Sequence, residues 1–174
     1  MAQPFDDVAP ENLDREILTW TLFGEATRAL AQQVVDSRWT ADAVVAIARG
    51  GLIPAGAVAY ALGVKAMAAT NVEFYTGVEE VLTEPVFLPP LMDTHSLAGK
   101  RVLVVDDVAD SGRTLQKVLE KLSEGPSAVA DARSAVLYHK PRSVVRPDHI
   151  WRGTDKWITF PWSAEPPVTP STVG

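Results

Sequence analysis

The sequence predicts a doubly wound α/β domain, in which helices cover a mostly parallel sheet. Apolar runs alternate with helix-patterned segments along the chain, which is typical of this class. Residues 43–48 and 101–106 are short, nearly continuous apolar runs of the kind found in strands buried on both faces. A turn rich in glycine or acidic residues follows each run directly. In such folds, ligands bind at turns of this kind, beyond the carboxyl ends of the strands.

Composition limits the classes of protein to which the chain can belong. Its 174 residues are 47% hydrophobic and 22% charged, which fits one globular domain with a real core. No uncharged apolar run approaches the roughly 18 residues of a membrane span, so we expect a soluble protein. The chain has no cysteine, which excludes disulfides, thiolate metal sites and a cysteine nucleophile. No secretory signal is evident at the N-terminus, so the cytoplasm is the expected compartment.

The charge balance disfavours some partners. There are 16 basic and 22 acidic residues, giving a net charge of −6. Broad attraction to a polyanion is therefore not expected, and neither nucleic acid nor membrane is a predicted partner. A small anionic ligand remains compatible, because it needs only a local positive site.

The first elements are a loose arm and a helix. Residues 1–12 contain two prolines and early carboxylates, which predict an N-terminal arm without regular structure. Thr21 is a suitable N-cap, and apolar residues then recur at near-helical spacing until about Arg38. We therefore predict an amphipathic helix over this stretch.

The next elements surround a pair of glycines. Residues 43–48 form the first predicted buried strand, and Gly50-Gly51 ends it. Pro54 suits the first turn of a helix and Gly63 suits its end, which predicts a helix at 53–62.

The remaining elements follow from the same patterns. They are a strand at 64–75, a long loop or lid at 76–98, a strand at 101–106, a helix carrying Leu115, Val118, Leu119 and Leu122, a strand at 132–138 and a frayed tail at 165–174. All lie in one predicted domain spanning residues 1–174.

The first candidate ligand turn is Ala48-Arg49-Gly50-Gly51. Two glycines allow a sharp turn and close approach of the backbone to a ligand, and Arg49 offers a planar donor fork that suits phosphate. Taken alone, the same residues also fit an ordinary strand-to-helix turn with a surface arginine.

The second turn, residues 106–114, carries a stronger signal. Asp106, Asp107 and Asp110 precede a run of hydroxyls, a glycine and successive N–H groups at a helix start, in the order Ser111, Gly112, Arg113 and Thr114. Such a helix start forms a small anion site. Adjacent carboxylates need cations or hydroxyl donors, which a sugar diol with Mg²⁺ would supply. We therefore expect a phosphate and a polyol side by side.

Other interpretations of this turn are weaker. Helix capping needs only one of the acids and does not explain the Ser-Gly-Arg-Thr run. A receiver-like domain also gathers acids at strand ends, but the hydroxyls and glycine after Asp110 argue against it. The sequence contains no P-loop pattern, which disfavours a P-loop nucleoside triphosphatase.

Residues 104–114 resemble the signature with which type I phosphoribosyltransferases hold phosphoribosyl pyrophosphate (PRPP). The turn at 48–51 is similar to the pyrophosphate loop of that family. Lys140-Pro141 and the segment 157–162 resemble the base-binding end of members acting on 6-oxopurines, especially bacterial xanthine-guanine phosphoribosyltransferases. The resemblance covers residues 20–162 and implies the fold of that family, with a flexible lid at 76–98 and a small base-binding hood at 140–162.

The resemblance also implies roles for individual residues. Asp106 and Asp107 would contact the ribose hydroxyls, Asp107 would lie near Mg²⁺, and residues 110–114 would surround the 5′-phosphate. Asp110 would also face N7 of the purine and take up its proton. Lys140 would donate to the 6-oxo group and Trp157 would stack on the base.

Further expectations complete that assignment. The Ile158 carbonyl would contact the exocyclic 2-position of the base. The implied substrates are PRPP and a purine base, and relatives are usually homodimers or homotetramers. From the residues alone, Trp157 also fits core packing and Lys140 an exposed loop, whereas Trp151 and Trp162 are predicted to pack.

Departures from the family pattern keep other functions open. Ser111 replaces the usual threonine, and residues 66–99 contain no lysine or arginine that could reach pyrophosphate. One alternative is a PRPP- or nucleotide-sensing regulator with little catalysis. Another is an enzyme of the same type that uses a different heterocyclic base.

Overall fold

A six-stranded sheet organises the molecule. The computed structural model describes residues 14–75, 81–87 and 94–170. The strands of this sheet, in chain order, are β2 (Ala43–Ala48), β3 (Met67–Tyr75), β4 (Val81–Phe87), β5 (Arg101–Ala109), β6 (Asp131–His139) and β7 (His149–Gly153). Their spatial order is β4-β3-β2-β5-β6-β7, and all neighbours are parallel except the β3–β4 pair. The predicted α/β class with a mostly parallel sheet is confirmed.

The chain reverses its direction of travel across the sheet between β2 and β5. From β2 it moves outward to β3 and β4, then returns to β5 and proceeds the other way to β6 and β7. Loops leaving adjacent strands at such a switch point diverge and open a crevice for ligands. The first predicted turn follows β2, whereas β5 continues to Ala109, three residues beyond its predicted end, so Asp106 and Asp107 lie in the last part of the strand. The topology nevertheless brings the two regions together.

Helices cover both faces of the sheet. The helices are α1 (Trp20–Asp36), α2 (Leu52–Leu62) and α3 (Arg113–Leu122). One apolar core joins α1 and α2 to the sheet face that includes Leu103 and Val105. The other core joins α3 to the face that includes Val102 and Val104. The alternation along β5 explains why its apolar run is continuous, since both faces are buried.

Helix α1 starts earlier than the sequence predicted. Its N-cap is Thr19, whose hydroxyl accepts a hydrogen bond from the N–H of Leu22 at 3.2 Å, so the predicted cap, Thr21, is wrong. Both threonines precede the apolar pattern, and spacing alone does not separate them. Helix α2 begins at Leu52, one residue before its predicted start. It ends before Gly63, as predicted, and that glycine is in the left-handed conformation (φ 70°).

The segment between β3 and β5 contains more regular structure than predicted. Val81–Phe87 forms strand β4, antiparallel to β3, where the sequence analysis predicted an irregular loop. This strand lies at the edge of the sheet, where proline is tolerated and alternation of apolar residues is weak. A short 3-10 turn follows at Thr94–Leu97. Residues 76–80 and 88–93 of the predicted lid lie outside the described residues.

The C-terminal region divides into two parts. Strand β7 joins the edge of the main sheet beside β6, whereas β8 (Trp157–Thr159) pairs in parallel with β1 (Arg15–Ile17) in a separate two-stranded sheet. Residues 140–162, the predicted hood, therefore contribute one strand to each sheet. Their role as a base-binding hood stays a prediction. These strands of three to five residues are too short for a period to reveal them.

Tryptophans near β8 support the core. Trp151 packs edge-to-face on Tyr138, and Trp162 stacks on Phe160 with ring centroids 4.8 Å apart. The prediction that Trp151 and Trp162 are packing residues is confirmed. Within the described residues, no helix has both the length and the apolar character needed to cross a bilayer.

Candidate active site

The turn after β2 is packed tightly against the end of β5. A Cβ atom on Gly51 would lie 2.5 Å from the Ile47 carbonyl oxygen and 2.7 Å from that of Val105. A Cβ on Gly50 would meet the Asp107 carboxylate at 1.9 Å. Close approach to main-chain atoms therefore requires glycine at position 51, whereas a side chain at position 50 would displace the Asp107 carboxylate. Arg49, beside a cis peptide bond, is exposed. The structure thus brings the first predicted turn against the acidic pair of the second.

Asp106 and Asp107 lie at the floor of the crevice. Asp106 accepts a hydrogen bond from the N–H of Asp107 at 2.9 Å, and Asp107 accepts one from the N–H of Val108 at 2.7 Å. Burial raises the pKa of Asp106 well above its ordinary value, and the neighbouring Asp107 charge raises it further. Burial also raises the pKa of Asp107. Two adjacent, half-buried carboxyls of this kind are suited to a cation or to hydroxyl donors from a ligand.

The acidic pair fits the requirements of Mg²⁺ in part. Among the described residues there is no group of three or more His, Asp and Glu side chains that could hold a metal ion. Mg²⁺ is usually held by one or two carboxylates together with substrate phosphates and water, rather than by a complete protein cage. Asp106 and Asp107 match that pattern, so the chain would share the ion with its ligand.

Two helix N-termini point into the same crevice. Gly51 and Gly112 occupy the N-cap positions of α2 and α3, and glycine has no side chain to accept hydrogen bonds from the first turn. By contrast, the Thr19 side chain caps α1. Because neither N-cap residue makes a side-chain cap bond, the N–H groups of the first turns and the helix dipoles favour anions at α2 and α3. The crevice therefore combines two anion sites with a pair of carboxyls.

The loop before α3 is fixed by its neighbour, the loop after β6. Gly112 has a φ of 75°, and a Cβ there would lie 2.2 Å from the Ser143 hydroxyl. The N–H of Val144 donates to the Ser111 carbonyl at 2.9 Å, and that of Lys140 donates to the Ala109 carbonyl at 3.0 Å. The glycine is needed both for its left-handed conformation and for this contact.

A cavity of about 350 Å³ opens on the other side of Asp110. Its wall includes Arg15, Asp110, Lys140, Arg142, Trp157 and Ile158. The volume lies within the range of small-molecule sites, and the wall mixes an aromatic ring with several polar groups. All three residues predicted to bind a base, together with the predicted catalytic acid, therefore line one cavity.

Lys140 and Trp157 differ in burial from what their residue types alone suggest. Lys140 is buried, with 9% exposure, and its ammonium donates to the Asp155 carbonyl at 3.2 Å and to that of Lys156. Trp157 is 59% exposed. The exposed-loop interpretation of Lys140 and the core-packing interpretation of Trp157 are both wrong. The ammonium is held in place, and the ring has an open face.

Sequence reasoning missed two basic residues of this cavity. Arg142 pairs with Asp110, its Nε lying 2.9 Å from Oδ1, and Arg15 reaches the wall from β1, where it pairs in register with Trp157. The Lys-Pro-Arg order after β6 could have drawn attention to Arg142. Arg15 gave no signal, because only the pairing of two three-residue strands brings it there.

The comparisons with known proteins define the class. A model of the phosphoribosyl transferase domain matches residues 15–168, so the chain belongs to that family. It is accordingly a pentosyltransferase with the fold type that the sequence resemblance implied.

Individual relatives narrow the class to purine phosphoribosyltransferases. The chain is similar to the xanthine-guanine phosphoribosyltransferases of Gluconobacter oxydans (32% identity, covering 94% of both chains) and Nitratidesulfovibrio vulgaris (30%, covering 85% of this chain and 84% of the relative). Its structure is similar to a purine phosphoribosyltransferase from Pyrococcus horikoshii (TM-score 0.73, 36% identity, covering 91% of this chain and 100% of that one). It is also similar to a hypothetical protein from Neisseria gonorrhoeae with bound ppGpp (TM-score 0.71, 25% identity, covering 86% and 89%).

Proposed function

We propose that the protein transfers the 5-phosphoribosyl group of PRPP to N9 of a 6-oxopurine, giving a nucleoside 5′-monophosphate and pyrophosphate. One observation carries the proposal: Asp110 stands between the crevice with its acidic pair and anion sites and the cavity lined by Lys140 and Trp157. A sugar phosphate on one side and a flat base on the other would meet at that residue.

The crevice would bind the activated sugar. Asp106 and Asp107 accept hydrogen bonds from the ribose hydroxyls, and the start of α3, at residues 110–114, binds the 5′-phosphate. Arg49 and the backbone at Gly50 and Gly51 bind the pyrophosphate. Mg²⁺ held beside Asp107 would neutralise phosphate charge and help pyrophosphate to leave.

The cavity would bind and orient the base. Trp157 stacks on the purine, the Lys140 ammonium donates to the 6-oxo group, and the Ile158 carbonyl accepts from a donor at the 2-position. The Lys140 ammonium already points at two carbonyls, so it is presented in a fixed place. Such rigid positioning aligns N9 with the anomeric carbon.

The reaction then requires one bond exchange and one proton transfer. The bond from the anomeric carbon to pyrophosphate breaks as the bond to N9 forms, with positive charge developing on the sugar. The base loses the proton on N7, and a carboxylate oxygen of Asp110 accepts it. The Asp107 and Asp106 carboxylates stabilise the developing positive charge. Closure of residues 76–98 over the sugar, to exclude water, stays a prediction.

A direct assay tests the proposal. Purified protein is incubated with Mg²⁺ and PRPP and, separately, with hypoxanthine, guanine, xanthine, adenine, uracil or orotate, and nucleotide and pyrophosphate are quantified by chromatography. We expect product from at least one 6-oxopurine and none from uracil or orotate. Product from a different base alone would keep the enzyme class and reject the assigned base.

The Asp110→Asn variant tests the catalytic assignment. Because general base catalysis contributes about 10²–10⁴-fold, we expect turnover to fall at least about a hundredfold. The dissociation constant of PRPP, measured by calorimetry, should change less than threefold. Unchanged turnover would remove Asp110 from the mechanism.

A second candidate function is a sensor of PRPP or a phosphorylated nucleotide with little catalysis. The Neisseria gonorrhoeae neighbour, a structure with bound ppGpp, favours keeping this candidate, as does the absence of lysine and arginine from residues 66–99. Tight calorimetric binding of PRPP or ppGpp without product from any base would support it. Turnover of a 6-oxopurine would reject it.

A further inference from the structure

Arg142 makes a forked contact with the carboxylate assigned to proton transfer. Its Nε donates to Oδ1 of Asp110 at 2.9 Å, and its Nη2 lies 2.5 Å from each carboxylate oxygen. This geometry fixes the plane of the carboxylate as well as its distance from the guanidinium. The Asp110 side chain remains 46% exposed. Its oxygens therefore keep free lone pairs that can accept a second hydrogen bond.

The backbone around Arg142 is attached to the backbone around Asp110. Two main-chain hydrogen bonds, from Lys140 to Ala109 and from Val144 to Ser111, bracket the two residues. The loop after β6 thus cannot shift without moving the loop that carries Asp110. The ion pair joins two side chains whose backbones are already held together, which lowers the entropic cost of forming it.

The position of the pair in the cavity points to a role beyond surface stability. Arg142 and Asp110 both line the cavity assigned to the base, as do Lys140 and Trp157. An aspartate at the mouth of an open cavity can adopt several rotamers, and only some present an oxygen to a bound base. A fixed carboxylate needs no reorientation during the reaction.

We propose that Arg142 is a positioning residue that holds the Asp110 carboxylate in the orientation from which it accepts the proton of the purine. This inference rests on the proposed function. The guanidinium stays on the side of the carboxylate that faces the loop after β6, and the base approaches the remaining lone pairs. Arg142 acts through Asp110 and does not itself bind the base.

Kinetics of three variants test the proposal. We expect Arg142→Ala to lower kcat about tenfold and to change the KM of PRPP less than twofold. Arg142→Lys should recover part of the loss, since an ammonium restores one charged hydrogen bond but not the fork. The matched control is Arg146→Ala, which removes an exposed arginine from the same loop and should leave kcat unchanged. Melting temperatures of all three verify folding.

A double-mutant cycle separates positioning from direct contact. If Arg142 acts through Asp110, Arg142→Ala should have no further effect on the residual rate of Asp110→Asn. The dissociation constant of the product nucleotide is measured by calorimetry in the wild type, Arg142→Ala, Asp110→Asn and the double variant. This second cycle does not depend on catalytic turnover. There too, the effect of Arg142→Ala should disappear when Asp110 is absent.

Distinct outcomes would overturn the inference. A further loss in the Asp110→Asn background would show direct contact with the base, and wild-type kinetics for Arg142→Ala would show no role. A faster Arg142→Ala enzyme would show that the pair is an obstacle that the base must break. Failure of the wild-type protein to form product from any base would instead reject the proposed function.

Discussion

The two sides of the candidate site are constructed differently. The phosphate side, formed by residues 48–51 and 106–114, depends on backbone and glycine. Replacing one Cα hydrogen of Gly50, Gly51 or Gly112 with a methyl group would bring the methyl carbon within 2.5 Å of another atom. The base side, formed by Lys140, Arg142, β8 and Arg15, depends on side chains in an open cavity. A site of the first kind tolerates almost no change, whereas one of the second kind can vary in ligand without altering the fold.

Gly51→Ala should have the largest effect on stability and activity, because the atoms around this glycine of the phosphate side belong to the main chain. The new methyl group would meet the main-chain carbonyls of Ile47 and Val105, so the turn that carries it would have to move away from the two strands. Overpacking of this kind costs about 1–3 kcal/mol of unfolding free energy, and a displacement of about 1 Å at a site can cost 10²-fold in rate. Chemical denaturation and PRPP calorimetry measure both effects.

Gly56→Ala is the matched control for that change. Gly56 lies within α2, and a Cβ there would meet nothing within 4 Å. Alanine should therefore stabilise the protein by about 0.5–1 kcal/mol through its higher helix propensity. Equal effects of the two substitutions would contradict the contrast between the two sides.

Trp157→Ala should have a smaller and more selective effect, because it changes only the base side. Stacking of a base on an aromatic ring contributes about 1–3 kcal/mol, so the KM for the base should rise about tenfold or more. The KM for PRPP should change little, since the ring lies outside the phosphate side. Loss of PRPP binding with intact base binding would reverse the assignment of the two sides.

Asp106→Asn should have the smallest effect, which is on the stability of the ligand-free protein. Unlike most substitutions, it should raise the melting temperature. Burial raises the pKa of Asp106, so its charged form destabilises the fold above the ordinary carboxyl pKa. At pH 7.5 the variant should melt about 2–4 °C higher, the shift produced by about 1 kcal/mol in a chain of this size. The difference should shrink as pH falls through the raised pKa of the folded state and vanish below the ordinary carboxyl pKa, where the wild-type carboxyl is protonated in both states.

Asp42→Asn gives the control of opposite sign. A hydrogen bond from the Arg101 guanidinium, followed by one from its N–H, lowers the pKa of Asp42 to about 2. Its contribution to stability is present above the ordinary carboxyl pKa and is lost as pH falls toward 2. The variant should therefore melt below wild type at pH 7.5. A rise for Asp42→Asn or a fall for Asp106→Asn, read by calorimetry, would contradict these electrostatic assignments.

The same division explains what the sequence could predict. The phosphate side consists of two segments, each contiguous in the chain. Asp106 to Thr114 are neighbours, and Gly50-Gly51 follows, after Arg49, a strand whose bounds were predicted correctly. The residue types within each short segment were therefore enough to predict this side of the site. The fold class followed as well, because strands buried on both faces leave continuous apolar runs.

The base side is assembled from segments far apart in the chain. Arg15 and Trp157 are neighbours only because β1 pairs with β8, and the partner of Asp110 stands 32 residues later. Nothing in the local pattern of either segment encodes such a contact. Edge strand β4 was missed for a related reason: its antiparallel partner, not its own periodicity, defines it.

The two main-chain hydrogen bonds between the loop after β6 and the loop before α3 have a consequence for protein engineering. The N–H groups of Lys140 and Val144 donate to the carbonyls of Ala109 and Ser111, so the two loops form one structural unit. A chimera that imports residues 140–145 from a relative with another base preference should also import residues 109–112. If residues 140–145 were exchanged alone, they would pack against a mismatched loop. The exchange would then change the binding of the sugar phosphate as well as the base preference.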